Sequence, residues 1–143
     1  MALQSTWTLE SRLDAVAPVS EAVREFALSV LGEEGAQDLE LAVVEAVTNV
    51  IKHGYGPEGG RIRVEADAEA EGVTIRILDQ GRAIPPEALG GAGPGRFDFD
   101  PENLDGVPAG GMGLSLISML MDEVSYDSRD GQNVLRLVRR VRA

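Results

Sequence analysis

The sequence predicts an α+β fold: a two-layer sandwich in which a mixed, mostly antiparallel sheet carries helices on one face. Three observations predict it. Alternating apolar and polar residues come in hairpin-like pairs over 61–77 and 124–141, helical periodicity dominates 18–53, and no repeated βαβ unit joins them. The chain has 143 residues, so a single domain over 1–143 is expected.

The elements follow in order. In Ser5-Thr6-Trp7-Thr8-Leu9-Glu10, Trp7 and Leu9 alternate with polar neighbours, the pattern of a short strand, and Trp7 is expected in core or interface packing. Pro18 suits the first turn of a helix, where its missing N–H costs nothing. Val19, Val23, Phe26, Ala27, Val30 and Leu31 recur at helical spacing, and Gly32 and Gly35 are expected to end that helix. A second helix is expected from about Asp38 to His53, stopped by Gly54, with a core stripe of Leu39, Val43, Ala46, Val47 and Val50. Glu45, Asn49, Lys52 and His53 share a different, narrow face of it, flanked by Leu41, Ala42 and Val44, which suits the lining of a cleft.

Ile62, Val64 and Ala66, then Val73, Ile75 and Ile77, alternate with polar residues around a turn placed at Glu71-Gly72. The second of these strands runs directly into Asp79-Gln80-Gly81. Residues 85–111 differ in kind: Pro85, Pro86, Pro94, Pro101, Pro108 and repeated glycines leave little helix or strand signal beyond a short turn near 86–89. So long a segment reads as a functional lid or as disorder. Residues 113–121 are apolar nearly all round and predict a buried helix, and two strands around Gly131 complete the chain.

Composition narrows the function classes. Thirteen Lys and Arg stand against 24 Asp and Glu, a net charge of −11, which repels a phosphate backbone and suits a basic protein partner. The absence of Cys excludes disulfides and thiolate metal sites, and a single His excludes a multi-His zinc site. No secretion signal and no apolar run of about 18 residues is visible, so a cytoplasmic protein that does not enter membranes is expected.

Three groups of residues carry chemistry. Glu45 and Asn49, four apart, sit one above the other on a helix. A carboxylate there can take a proton from a hydroxyl, and an amide oxygen can ligate Mg²⁺. Asp79 closes an apolar strand ahead of Gln80-Gly81-Arg82-Ala83, where a carboxylate can accept an exocyclic amine and a glycine admits close backbone approach. Gly110-Gly111-Met112-Gly113-Leu114 opens a helix whose free N–H groups favour phosphate. Each alone has a bland alternative: a solvated helix face, an Asp/Gly turn, a hinge. Gly54-Tyr55-Gly56-Pro57-Glu58-Gly59 spells a dinucleotide fingerprint, yet it follows a helix and precedes a strand, so it reads as a connecting loop; no Gly-Lys pair exists for a Walker loop.

Taken together, the order of these groups resembles the N box and the two glycine boxes of the GHKL ATPase superfamily. The run Glu45-Ala-Val-Thr-Asn49-Val-Ile-Lys-His53-Gly54-Tyr55, with Gly110-Gly-Met-Gly113-Leu and Met121-Asp122-Glu123-Val124, is most similar to anti-sigma-factor serine/threonine kinases of the RsbW and SpoIIAB type. The resemblance implies the Bergerat-type ATP-binding fold, with Glu45 as catalytic base and Asn49 as the Mg²⁺ ligand. It places Asp79 on the adenine amine and Gly81 and Ala83 beside the base, with Gly111, Met112, Gly113 and Leu114 at the phosphates. It also brings His53 to the nucleotide, although a residue favoured by the helix C-terminal dipole is the plainer reading there. The ATP lid would span about 85–110, and Arg24 would lie on a partner-binding surface.

Two departures stand out. Ala83 occupies a position where the family commonly has Gly. Gln132 and Asn133 follow Gly131 where the family tends to have Thr near the adenine, so an amide either replaces the hydroxyl or the contact is lost. The implied function is an ATP- and Mg²⁺-dependent kinase, a homodimer that binds a sigma factor and phosphorylates a serine on an anti-anti-sigma STAS-domain antagonist. The alternative is a nucleotide-gated binding module without significant kinase activity.

Overall fold

Alternation sorts each strand into an inner and an outer face, and the strands pair so that the inner faces coincide. The structure, a computed structural model, describes residues 2–83, 95–96 and 112–142. Strands β1 (Leu3–Glu10), β2 (Arg61–Glu69), β3 (Gly72–Asp79), β4 (Gly95–Arg96), β5 (Glu123–Arg129) and β6 (Gln132–Arg140) form one sheet in the order β1-β2-β3-β6-β5-β4. Every described pairing is antiparallel, so the sheet expected as mixed is antiparallel throughout its described part. Ile62, Val64, Ala66, Val73, Ile75, Ile77, Leu135 and Leu137 are buried on the inner face. The outer face is charged: Arg76 bonds Glu65 at 3.0 Å and Asp67 at 2.6 Å.

Two expectations change at the hairpin and the first helix. The β2–β3 turn is made by Ala70 and Glu71, while Gly72 already pairs with Glu69 as the first residue of β3. A Cβ on Gly72 would run into the Arg139 carbonyl, which explains a glycine inside the ladder. The two expected helices form one element, α1 (Val16–Asn49), in which two segments meet at Gly32 with φ 75° and ψ −179°. Gly32 therefore breaks the helix, as its freedom at positive φ allows. Gly35 does not; it is buried inside the second segment, where a Cβ would stand 2.9 Å from Leu31 Cβ and 3.7 Å from Arg139 Nε.

The second segment lies along the inner face of the sheet. Leu39, Ala42, Val43, Ala46 and Val47 are buried at the 3–4 spacing of one helix stripe. Ala42 thus belongs to the core and does not flank the polar face. Trp7 packs edge-on against Phe26 of the first segment, with ring centroids 5.9 Å apart. Helix α2 (Met112–Leu120) precedes β5. Ile117 is fully buried, but Met119 is 62% exposed, so the helix expected to be buried presents at least one side chain to solvent.

Arg139 of β6 joins three elements. It is buried, donates to the Leu120 carbonyl at the end of α2 at 2.9 Å, and pairs with Asp38 of α1 at 3.0 Å. The expected lid and the short turn near 86–89 lie outside the described residues, apart from Gly95–Arg96. No described helix is long and apolar enough to cross a membrane.

Candidate functional site

At the opposite end of β6 from Arg139, three polar side chains lie in a row across the inner face. Asp79 of β3 stands opposite Asn133 of β6, and Asn133 stands opposite Ser128 of β5. Strand parity puts all three on the side of the buried Ile77, Leu135 and Tyr126. Asn133 Nδ2 donates to Asp79 Oδ1 at 2.9 Å and to the Gly81 carbonyl at 3.0 Å. Ser128 Oγ donates to Asn133 Oδ1 at 2.6 Å, and the Gly81 N–H donates to Asp79 Oδ1 at 2.9 Å. Burial pushes the Asp79 carboxyl up from its ordinary value, and the bonds from Asn133 and Gly81 act against that rise. Among the described residues both hydrogen bonds fall on Oδ1, which leaves Oδ2 as the acceptor for an incoming group.

The loop after β3 is pressed against the end of α1. A π turn, Val50–Gly54, closes that helix, with the Tyr55 N–H bonded to the Val50 carbonyl at 3.2 Å. Such π turns are frequent at functional sites. The Arg82 N–H donates to the Gly54 carbonyl at 2.5 Å, and a Cβ on Gly81 would collide with that carbonyl. The close approach that Gly81 permits is therefore, first of all, to the protein's own backbone. Tyr55 adds a second tie: its hydroxyl donates to the Arg61 carbonyl at 2.7 Å and accepts from the Gln80 N–H at 2.9 Å.

Residues 9–139 match the family described as the histidine kinase-like ATPase domain. The chain is 36% identical over 141 residues to the serine-protein kinase RsbW of Staphylococcus epidermidis, covering 92% of this chain and 87% of that one. It is 33% identical over 133 residues to RsbW of Staphylococcus aureus strain Newman, covering 88% and 82%. The chain belongs to the GHKL anti-sigma kinase family. A solved structure of the RsbU and RsbW domains of a Mycobacterium tuberculosis protein shares the fold, with a TM-score of 0.67 at 20% identity over 99% of this chain and 33% of that one. Membership in this GHKL family implies ATP binding and an anti-sigma serine-kinase role.

Within this GHKL chain the expected site residues fall into three sets. Asp79 and Gly81 meet the end of α1 directly. Glu45 and Asn49 are half-buried on α1, and Asn49 precedes Gly54 by about 7 Å along the axis at ~1.5 Å per residue. Lys52 and His53 are exposed in the π turn, and Ala83 is exposed beyond Gly81. Met112, Gly113 and Leu114 form the first turn of α2, while Gly111 lies outside the described residues. Arg24 is apart from the rest, in the first segment of α1, paired with Glu40 at 3.4 Å. Sequence reasoning gave no role to Ser128 or to the Tyr55 hydroxyl. Strand register alone links Ser128 to Asn133 and Asn133 to Asp79.

Proposed function

We propose that the chain is an ATP- and Mg²⁺-dependent serine/threonine kinase that also holds a sigma factor, and that it phosphorylates a serine on an anti-anti-sigma STAS-domain protein. The observation that carries the reading is the buried Asp79 carboxylate, fixed through Oδ1 and set against the end of the helix that bears Glu45 and Asn49. Asp79 Oδ2 would accept the exocyclic amine of adenine. The carbonyl-to-glycine packing of Gly54 and Gly81 keeps the loop thin enough for the base to lie close.

The oxygen donors of α1 fit a hard divalent cation, which favours few protein ligands and keeps several waters. Asn49 would hold it through its amide oxygen. Bound there, Mg²⁺ would supply positive charge to offset that of the transferring phosphoryl group. Glu45 would take the serine proton as the Oγ–phosphorus bond forms and the bond to the ADP oxygen breaks. The first turn of α2, Met112 to Leu114 with Gly111 before it, would present backbone N–H groups to the phosphates.

A phosphoserine on the antagonist would meet a chain of net charge −11, and the repulsion favours its release. Arg24 would contribute to partner binding. The protein would act as a cytoplasmic homodimer.

The test is calorimetry with Mg-ADP. Asn49→Ala and Asp79→Ala are each expected to weaken binding at least tenfold; unchanged affinity in both overturns the nucleotide reading. With the cognate antagonist and labelled ATP, Glu45→Ala is expected to abolish phosphoserine formation. Wild type that forms no phosphoserine yet still binds its sigma factor would establish a sequestering module instead.

A further inference from the structure

Asn133 stands near the position where the family tends to place a threonine hydroxyl by the base, and the structure shows what the amide does there. It is 2% exposed. A carboxamide has two N–H donors, and both are spent, on Asp79 Oδ1 and on the Gly81 carbonyl. Its oxygen accepts the Ser128 hydroxyl. The flipped amide would set its oxygen against the Asp79 carboxylate and the Gly81 carbonyl, acceptor against acceptor, so only one orientation is satisfied. Asn133 therefore has no donor left for a ligand and cannot read the base itself.

We propose that Asn133 and Ser128 are positioning residues for base selection: they lock Asp79 through Oδ1, so that Oδ2 selects 6-amino over 6-oxo purine nucleotides. The inference rests on the nucleotide reading above. A 6-amino purine offers an N–H donor to an ionised carboxylate. A 6-oxo purine offers an acceptor, which repels an ionised carboxylate and is tolerated only if the acid is protonated or turns away. Burial already favours the protonated form, and the Asn133 donor opposes it. The same amide joins the Gly81 N–H in holding Oδ1, so the carboxylate is tied at two points. Without the amide only the Gly81 N–H remains, and both routes to a 6-oxo purine become easier.

The probes are ADP and inosine diphosphate, measured by calorimetry on the full chain for wild type, Asp79→Ala, Asn133→Ala and Ser128→Ala, each checked by a thermal melt. Loss of a hydrogen bond to a charged group predicts that Asn133→Ala weakens ADP about tenfold while inosine diphosphate changes less than about twofold, so the preference collapses. Ser128→Ala is expected to shift the ratio in the same direction by about threefold. Equal weakening of both nucleotides in Asn133→Ala would assign it a merely structural role and overturn the proposal. If Asn133→Ala does not fold, Ser128→Ala decides, and an unchanged ratio overturns it. Should Asp79→Ala leave ADP binding intact, the nucleotide reading itself fails. Should Asp79→Ala weaken ADP while the ratio survives in the other two variants, the nucleotide reading stands and the positioning role is wrong.

Discussion

Asp79 is buried at a cost to folding. Its carboxyl is raised above the ordinary 3.8 by burial. The folded chain therefore binds that proton more tightly than the unfolded chain, and the Asp79 contribution to stability declines as pH climbs from about 3.8 through the raised value. Accepting an amine needs the ionised form, on the other side of that window. Asp79→Asn keeps the shape and removes the charge. It is expected to raise the melting temperature at pH 7, with the gain shrinking toward pH 4, while ADP binding is lost; a melt series against pH checks both halves. At Gly81 the constraint is space, since its φ is not positive and a Cβ would strike the Gly54 carbonyl. Gly81→Ala should cost about 1–3 kcal/mol in denaturant unfolding, the range for overpacking against atoms that cannot yield.

At the level of elements, the sequence made much of the architecture legible, and particular residues show where it stopped. The stripe of Leu39, Val43, Ala46 and Val47 announced the second segment of α1, and the alternation through Ile75 and Ile77 announced β3. Gly35 misled because a glycine excluded by crowding from Leu31 and Arg139 looks, in one dimension, like a glycine that ends a helix. Asp79, Gly81, Glu45 and Asn49 were legible as separate signals, but the packing of the Asp79–Gly81 loop against Gly54 depends on long-range register that no local window contains. Asn133 and Arg139 share parity with Leu135 and Leu137, so a charged residue facing inward was visible in the pattern, though its partners were not.

Those partners make Arg139 a clasp between α1 and the end of α2, with its Nε buried and without a hydrogen-bond partner among the described residues. Removing Asp38 would strand the guanidinium. Asp38→Ala should destabilise by about 2 kcal/mol, below the ~3–5 kcal/mol of a fully buried pair because Asp38 is partly exposed. Asp38→Ala combined with Arg139→Met should recover part of that loss, as measured by a double-mutant cycle.

The whole molecule divides its inner face between two polar stations, the Arg139 clasp at one end and the Asp79 row at the other, with the apolar core between them. About sixteen residues of α1 and its closing π turn span the interval from Asp38 to Gly54, roughly 24 Å at ~1.5 Å per residue, so the helix that anchors one station leads directly to the other. A ligand gripped at the Asp79 end thus bears on the same rigid rod that the clasp secures.

The outer rim carries a different consequence. Strand β1 closes one side of the sheet order, exposes Leu3, and contains a single charged residue, Glu10. A strand rim with no cover among the described residues is a template for stacking one chain onto the next. The surplus of carboxylates opposes such stacking, and it fades as the isoelectric point near pH 4.4 is approached. Light scattering is expected to rise steeply there, and Thr8→Asp, which plants a further carboxylate on the exposed rim opposite Arg63 and lowers the isoelectric point, should hold the sample clear to lower pH.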